Sequence, residues 1–230
     1  MSKLELKPPL ILLNFKTYPT SIGERGLRLA KIIEETSLKS GIQIIISPQY
    51  TDIFRISSAI STPVFSQHLD YQEPGRHTGF VLPEALVASG CRGTLLNHAE
   101  QPISHDDVRK AVERCKGLDL VSCVSSNGVE ESSLLASINP DMLLIELPEL
   151  IGSGKAISTV KPNVITDAVE AVRAKNSKVV LVAGSGISTK EDVRAALELG
   201  MDAVGASKAI MDTPDPKVVL EEMVEAVSTK

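Results

Sequence analysis

Eight short apolar runs recur along this chain, each followed by a longer stretch with helical periodicity, and no other feature restricts the fold as much. The runs are residues 10–14, 42–47, 64–67, 93–97, 118–124, 142–146, 179–183 and 202–205. Most are rich in Val, Ile and Leu without polar alternation, as in parallel strands covered on both faces. Eight units in 230 residues average about 29 residues each, close to the roughly 30 residues of a βα repeat.

The intervening stretches carry helix punctuation. Ser104 to Asp107 reads as a capping box, with Val108, Ala111, Val112 and Cys115 forming one apolar stripe behind it. Ser188 to Glu191 repeats the device ahead of Val193, Ala196 and Leu197, and Gly200 is placed to end that helix. Asp215-Pro216 opens a last helix bearing Val219, Leu220, Met223, Val224 and Val227. No linker or composition shift interrupts the series, so residues 1–230 read as one domain. Alternating parallel units make either an open doubly wound sheet or a closed barrel. The count of eight selects the α/β class (β/α)8 barrel, at a length between its usual ~250 residues and its lower limit near ~200.

Composition removes several function classes. Hydrophobic residues at 43% and charged residues at 23% support a real core. A net charge of −5 with no Lys/Arg block argues against nucleic acid, and 3% aromatics with no tryptophan against stacking platforms. No apolar run approaches the ~18 residues of a membrane span, and the N-terminal run after Pro8-Pro9 is too short for a secretory core. Cys91, Cys115 and Cys123 are widely spaced with no C-x-x-C pair, which reads as buried thiols in a reducing compartment. The expectation is a cytoplasmic protein without nucleic-acid or membrane partners.

In a barrel of this kind the chemistry sits where strands end and loops begin. The first run ends in Asn14-Phe15-Lys16, the fourth in Asn97-His98-Ala99-Glu100 and the sixth in Glu146. An amide, an ammonium, an imidazole and two carboxylates therefore converge on one mouth. The seventh run passes into Gly184-Ser185-Gly186 and the eighth into Gly205-Ala206-Ser207. Small residues there let backbone amides approach an anion, at the usual phosphate site of these barrels. Gly152 to Lys155 is not a nucleotide P-loop, since Glu149 stands where its first glycine belongs and Ala156 where Ser or Thr belongs. Apolar Leu150 and Ile151, between Pro148 and the glycines 152 and 154, suit a lid. His105 reads as a surface residue, and His68 and His77 as parts of a subunit-contact loop.

Taken in order from first strand to last, these motifs resemble the triosephosphate isomerase family, and the short length resembles its compact archaeal branch. The resemblance implies Glu146 as base, His98 as a neutral electrophile, and Lys16 and Asn14 as substrate contacts. It implies that Ile151, Gly186, Ala206 and Ser207 lie where amides meet the phosphate, and that Glu100 is a supporting carboxylate. Thr78, in the loop 75–79, matches a segment that reaches into a neighbouring subunit and braces its Asn14/Lys16 region. A triose phosphate substrate, no metal or organic cofactor, and a homodimer or homotetramer working in glycolysis and gluconeogenesis follow from the same likeness.

Three positions depart from the family pattern. Leu147 separates Glu146 from Pro148, where the family puts proline directly after the glutamate. The seventh loop reads Gly-Ser-Gly instead of two glycines and a serine, and no lid tryptophan is present near Glu149 and Leu150. Alternatives from the residues alone are a metal-dependent pentulose-phosphate epimerase, an aldolase using Lys16 as a Schiff base, and a non-catalytic sugar-phosphate sensor. The epimerase needs several His/Asp ligands at strand ends, and only His98 is found there.

Overall fold

The structure, a computed structural model, describes residues 2–228. Its strands are β1 (Leu10–Asn14), β2 (Ile44–Ser47), β3 (Phe65–Ser66), β4 (Gly93–Leu96), β5 (Val121–Ser126), β6 (Met142–Ile145), β7 (Val180–Ala183) and β8 (Ala203–Ala206). All are parallel, in the order β2-β1-β8-β7-β6-β5-β4-β3. A single bridge between Ile46 and Val64, with the Ile46 amide donating to Pro63 at 3.0 Å, joins β2 to the β3 side and nearly closes the ring. This is the (β/α)8 barrel.

The helices are α1 (Gly23–Ser40), α2 (Ile53–Ser57), α3 (Pro83–Ala88), α4 (His105–Gly117), α5 (Val129–Ala136), α6 (Ile157–Val160), α7 (Pro162–Arg173), α8 (Lys190–Glu198), α9 (Lys208–Met211) and α10 (Pro216–Ser228). Continuous apolar strands serve both sides of the wall. Leu12, Ile45, Phe65, Leu95, Cys123, Leu144 and Val182 fill the barrel, while Ile11, Leu13, Ile44, Ile46, Leu143 and Leu181 pack in the layer shared with the helices. All three cysteines are buried and unpaired. Among the described residues no helix is long and apolar enough to cross a membrane.

Three local expectations need correction. The fifth strand begins at Val121, not Leu118, because the amides of Leu118 and Leu120 bond back to Cys115 and close α4. It continues through Ser125 and Ser126, whose polarity hides their burial in the wall. The α8 capping box sits one residue later than expected, on Thr189 and Asp192. Asp192 is fixed there from outside, since Thr159 donates to its carboxylate and Ser158 to its carbonyl. At α4, Ser104 caps the Asp107 amide at 3.1 Å, but the Asp107 carboxylate accepts from the Ser104 hydroxyl and not from its amide.

Candidate active site

At the C-terminal end of β1 the chain turns sharply. Asn14 Oδ1 accepts the Lys16 amide at 2.9 Å, and Lys16 adopts φ +45°. A left-handed conformation in a residue bearing a side chain costs on the order of 1–3 kcal/mol and persists only where surroundings impose it. Here Gln49 and Gln67 donate side-chain amides to the Lys16 carbonyl at 2.6 and 2.9 Å. The turn aims Lys16 Nζ at Glu100 Oε1, 2.7 Å away.

After β4, Asn97 takes φ +57° and uses its whole side chain to hold the next turn. Its amide donates to the Ser125 carbonyl at 3.0 Å and to Glu131 at 3.3 Å, while its Oδ1 accepts the Ile103 amide at 3.1 Å. Glu131 also receives His105 and the Asn127 amide, at 2.9 and 2.7 Å. This clamp fixes the turn carrying His98. His98 Nδ1 accepts the Glu100 amide at 3.2 Å, so in the neutral ring the hydrogen belongs on Nε2. Nε2 faces Glu146 Oε2 at 3.3 Å.

Glu146 leaves β6 and is only 6% exposed. Burial pushes its pKa above the usual carboxylate value, opposed by His98 and Lys16. Oε1 accepts the Ser185 amide at 3.3 Å, whereas Oε2 is buried with no hydrogen bond among the described residues. The carboxylate fits because position 184 is glycine: a Cβ there would stand 2.5 Å from Glu146 Cγ.

The lid, residues 147–156, is held at both ends by the loop after β7. Leu147, which stands between Glu146 and Pro148, is buried and donates its amide to Ser185 Oγ at 2.8 Å. The Ile157 amide donates to the Ser185 carbonyl at 3.2 Å. Gly186, at φ +77°, approaches so closely that a Cβ would lie 2.0 Å from the Lys155 carbonyl oxygen. Ser185, in the middle of Gly184-Ser185-Gly186, thus secures Leu147 at the lid's first hinge.

A cleft opens over these groups, with Leu12 and Leu144 among its lining residues. Asn14, Lys16, His98, Glu146, Ile151, Gly186, Ala206 and Ser207, all expected from sequence, line it together. Glu100 borders a neighbouring cleft that shares Asn14, Lys16 and His98. Thr78 is exposed on the loop between β3 and α3 and lines neither. Tyr18 and Lys208 also line the main cleft and escaped the sequence reading, as did Gln49, Gln67, Asn97 and Glu131 as supports. An abrupt polar exit from an apolar run marks Asn97 and Gln67; the others carry no such mark.

This arrangement sets a buried, partly unsatisfied carboxylate, an imidazole N–H and an ammonium around one space, beside loops rich in small residues. Such a set can move a proton at carbon while stabilising charge on an adjacent oxygen. Comparison with known proteins points the same way. The family model described as Triosephosphate isomerase matches residues 9–227. A triosephosphate isomerase from Sulfurisphaera tokodaii is 44% identical over 219 residues, covering 95% of this chain and 95% of its own. Those from Methanobrevibacter smithii and Methanocaldococcus jannaschii are 40% and 39% identical, each covering 95% of this chain and 99% and 100% of their own.

Proposed function

This chain belongs to the triosephosphate isomerase family, and from that premise we propose how its own residues divide the work. The reaction interconverts D-glyceraldehyde 3-phosphate and dihydroxyacetone phosphate, an aldose–ketose isomerisation of glycolysis. Glu146 takes the proton from the carbon beside the carbonyl and returns it to the neighbouring carbon. His98 Nε2–H donates to the oxygen that gains charge in the enediolate, and the Lys16 ammonium stabilises the same charge. Asn14 holds Lys16 in place and meets the substrate. Amides of Ile151, Gly186, Ala206 and Ser207 receive the phosphate, helped by the Ser207 hydroxyl, which is buried and has no hydrogen-bond partner among the described residues. Glu100 orders both Lys16 and His98.

The observation that carries this assignment is Glu146 Oε2, buried, without a hydrogen bond among the described residues and 3.3 Å from His98 Nε2. Burial makes the carboxylate a stronger base than it is in water, and exclusion of water strengthens the donors facing the enediolate. No step needs a metal or organic cofactor. Solvent deuterium exchange into dihydroxyacetone phosphate tests the base: the native protein incorporates label and Glu146→Gln does not. Incorporation at the native rate by that variant would move the role elsewhere. Borohydride with substrate traps an aldolase imine on Lys16 and leaves an isomerase active.

We further propose that residues 1–230 act as one domain, in the cytoplasm, as a homodimer or homotetramer. Thr78, on an exposed loop, braces the Asn14/Lys16 region of a neighbouring copy, entering the second cleft beside Gln67 and Glu100. Sedimentation at micromolar concentration distinguishes these states from a monomer.

A further inference from the structure

Lys208 is the first residue of α9, immediately after the β8 loop, and it lines the main cleft at the end occupied by Gly186, Ala206 and Ser207. Its Nζ stands 3.5 Å from the carbonyl oxygen of Gly152, in the lid. Of the other charged groups in the cleft, Lys16 is paired with Glu100, and Glu146 faces His98. Lys208 has no carboxylate partner among the described residues. One unpaired cation therefore stands where a lid segment and the small-residue loops meet.

We propose that Lys208 is a specificity-determining residue whose ammonium contacts the substrate phosphate and the Gly152 carbonyl together, tying the lid to the anion beneath it. This rests on the placement of the phosphate at Ile151, Gly186, Ala206 and Ser207. Backbone amides offer partial charges to the phosphate, whereas Lys208 adds a full one. Its ammonium has three hydrogens and no acceptor role, so it can serve phosphate and carbonyl at once. A long, exposed side chain follows the lid when it opens. Removal of the phosphate removes one of its two partners, which couples lid position to the group that distinguishes a sugar phosphate from a free sugar.

The test replaces the ammonium by a neutral side chain of similar length, Lys208→Met. A charge-assisted hydrogen bond is typically worth roughly tenfold in affinity, so kcat/KM for D-glyceraldehyde 3-phosphate should fall about tenfold. The value for D-glyceraldehyde, which lacks phosphate, should stay unchanged, and Lys208→Arg should recover most of the loss. Competitive inhibition by inorganic phosphate should weaken by about the same factor, with a shallower dependence on salt. If inorganic phosphate does not compete with substrate in the native protein, the phosphate placement itself fails. If it competes, yet Lys208→Met leaves the ratio of the two kcat/KM values and the inhibition constant unaltered, the Lys208 role is overturned and the placement stands.

Discussion

His98 Nε2 and Glu146 Oε2 lie 3.3 Å apart, and the second of these atoms is buried without a hydrogen bond among the described residues. Strand ends 48 residues apart in sequence supply them, and two loops hold them. The Glu100 amide orients the imidazole through Nδ1, and the Ser185 amide holds the other carboxylate oxygen. A carboxylate kept in that state is poised for proton transfer and costly to fold around.

Glu146→Gln separates these two consequences. Activity should fall at least ~10²-fold, the lower end of what a general base contributes. Thermal stability at neutral pH should rise, because an amide carries no burial penalty for charge. The folded pKa of Glu146 lies above the ordinary 4.5, so the native state binds the extra proton and stability falls as pH rises through that interval. The stabilisation of the variant should therefore be largest above the raised pKa and disappear below about pH 4.5. Melting curves across pH check it, and a variant destabilised at pH 7 would contradict it.

Lys16→Ala should lower kcat as well as raise KM, since the ammonium acts on charge that develops during the reaction. Steady-state kinetics decide the matter: an increase in KM with kcat intact would make Lys16 a simple binding residue. The substitution should also leave Glu100 without the partner it now meets at 2.7 Å.

Glu131 should matter to catalysis without touching substrate. Glu131→Ala leaves Asn97 holding the His98 turn without its carboxylate partner, and kcat should drop about tenfold or more with little change in KM. Burial raises the Glu131 pKa, but bonds from His105, Asn127 and Asn97 outweigh it and hold the carboxyl below the usual range. Its contribution to stability is thus present above the ordinary 4.5 and lost as pH falls through the lower folded value. The stability gap between native protein and variant should narrow in acid, as measured by urea unfolding.

Gly186→Ala tests the contact between lid and seventh loop. A Cβ aimed 2.0 Å from the Lys155 carbonyl oxygen, at φ +77°, forces the backbone apart. The loss should be at least on the order of 1–3 kcal/mol, from strain and broken packing. Hydrogen exchange should quicken at Ile157, whose amide bonds Ser185. Ser185→Ala is milder: it removes the acceptor of the Leu147 amide at 2.8 Å, and faster exchange should appear at Leu147, at the lid's first hinge. Unchanged exchange there would show that Ser185 Oγ does not secure the hinge.

Much of this site was legible in the chain because strand ends in a parallel barrel share one face. Asn14, Lys16, His98 and Glu146 are marked locally, each by a polar group interrupting an apolar run. Ser188 and Thr189 both satisfy the local capping pattern of α8, and only contacts from Ser158 and Thr159 choose between them. The apolar character of Leu118 is the same whether it enters the wall or closes α4, so the run alone does not mark where the fifth strand starts.

The alternation of apolar runs and amphipathic stretches determined the barrel, and the order of polar residues at its strand ends determined which groups meet. Both are periodic or local properties, written into neighbouring residues. The tertiary structure alone decided that Gln49 and Gln67 hold Lys16, that Ser185 holds Leu147, and that Lys208 reaches Gly152. Those pairs lie 33, 51, 38 and 56 residues apart. No period or turn motif links such positions; they become neighbours only when the ring curves round and brings its loops over one mouth.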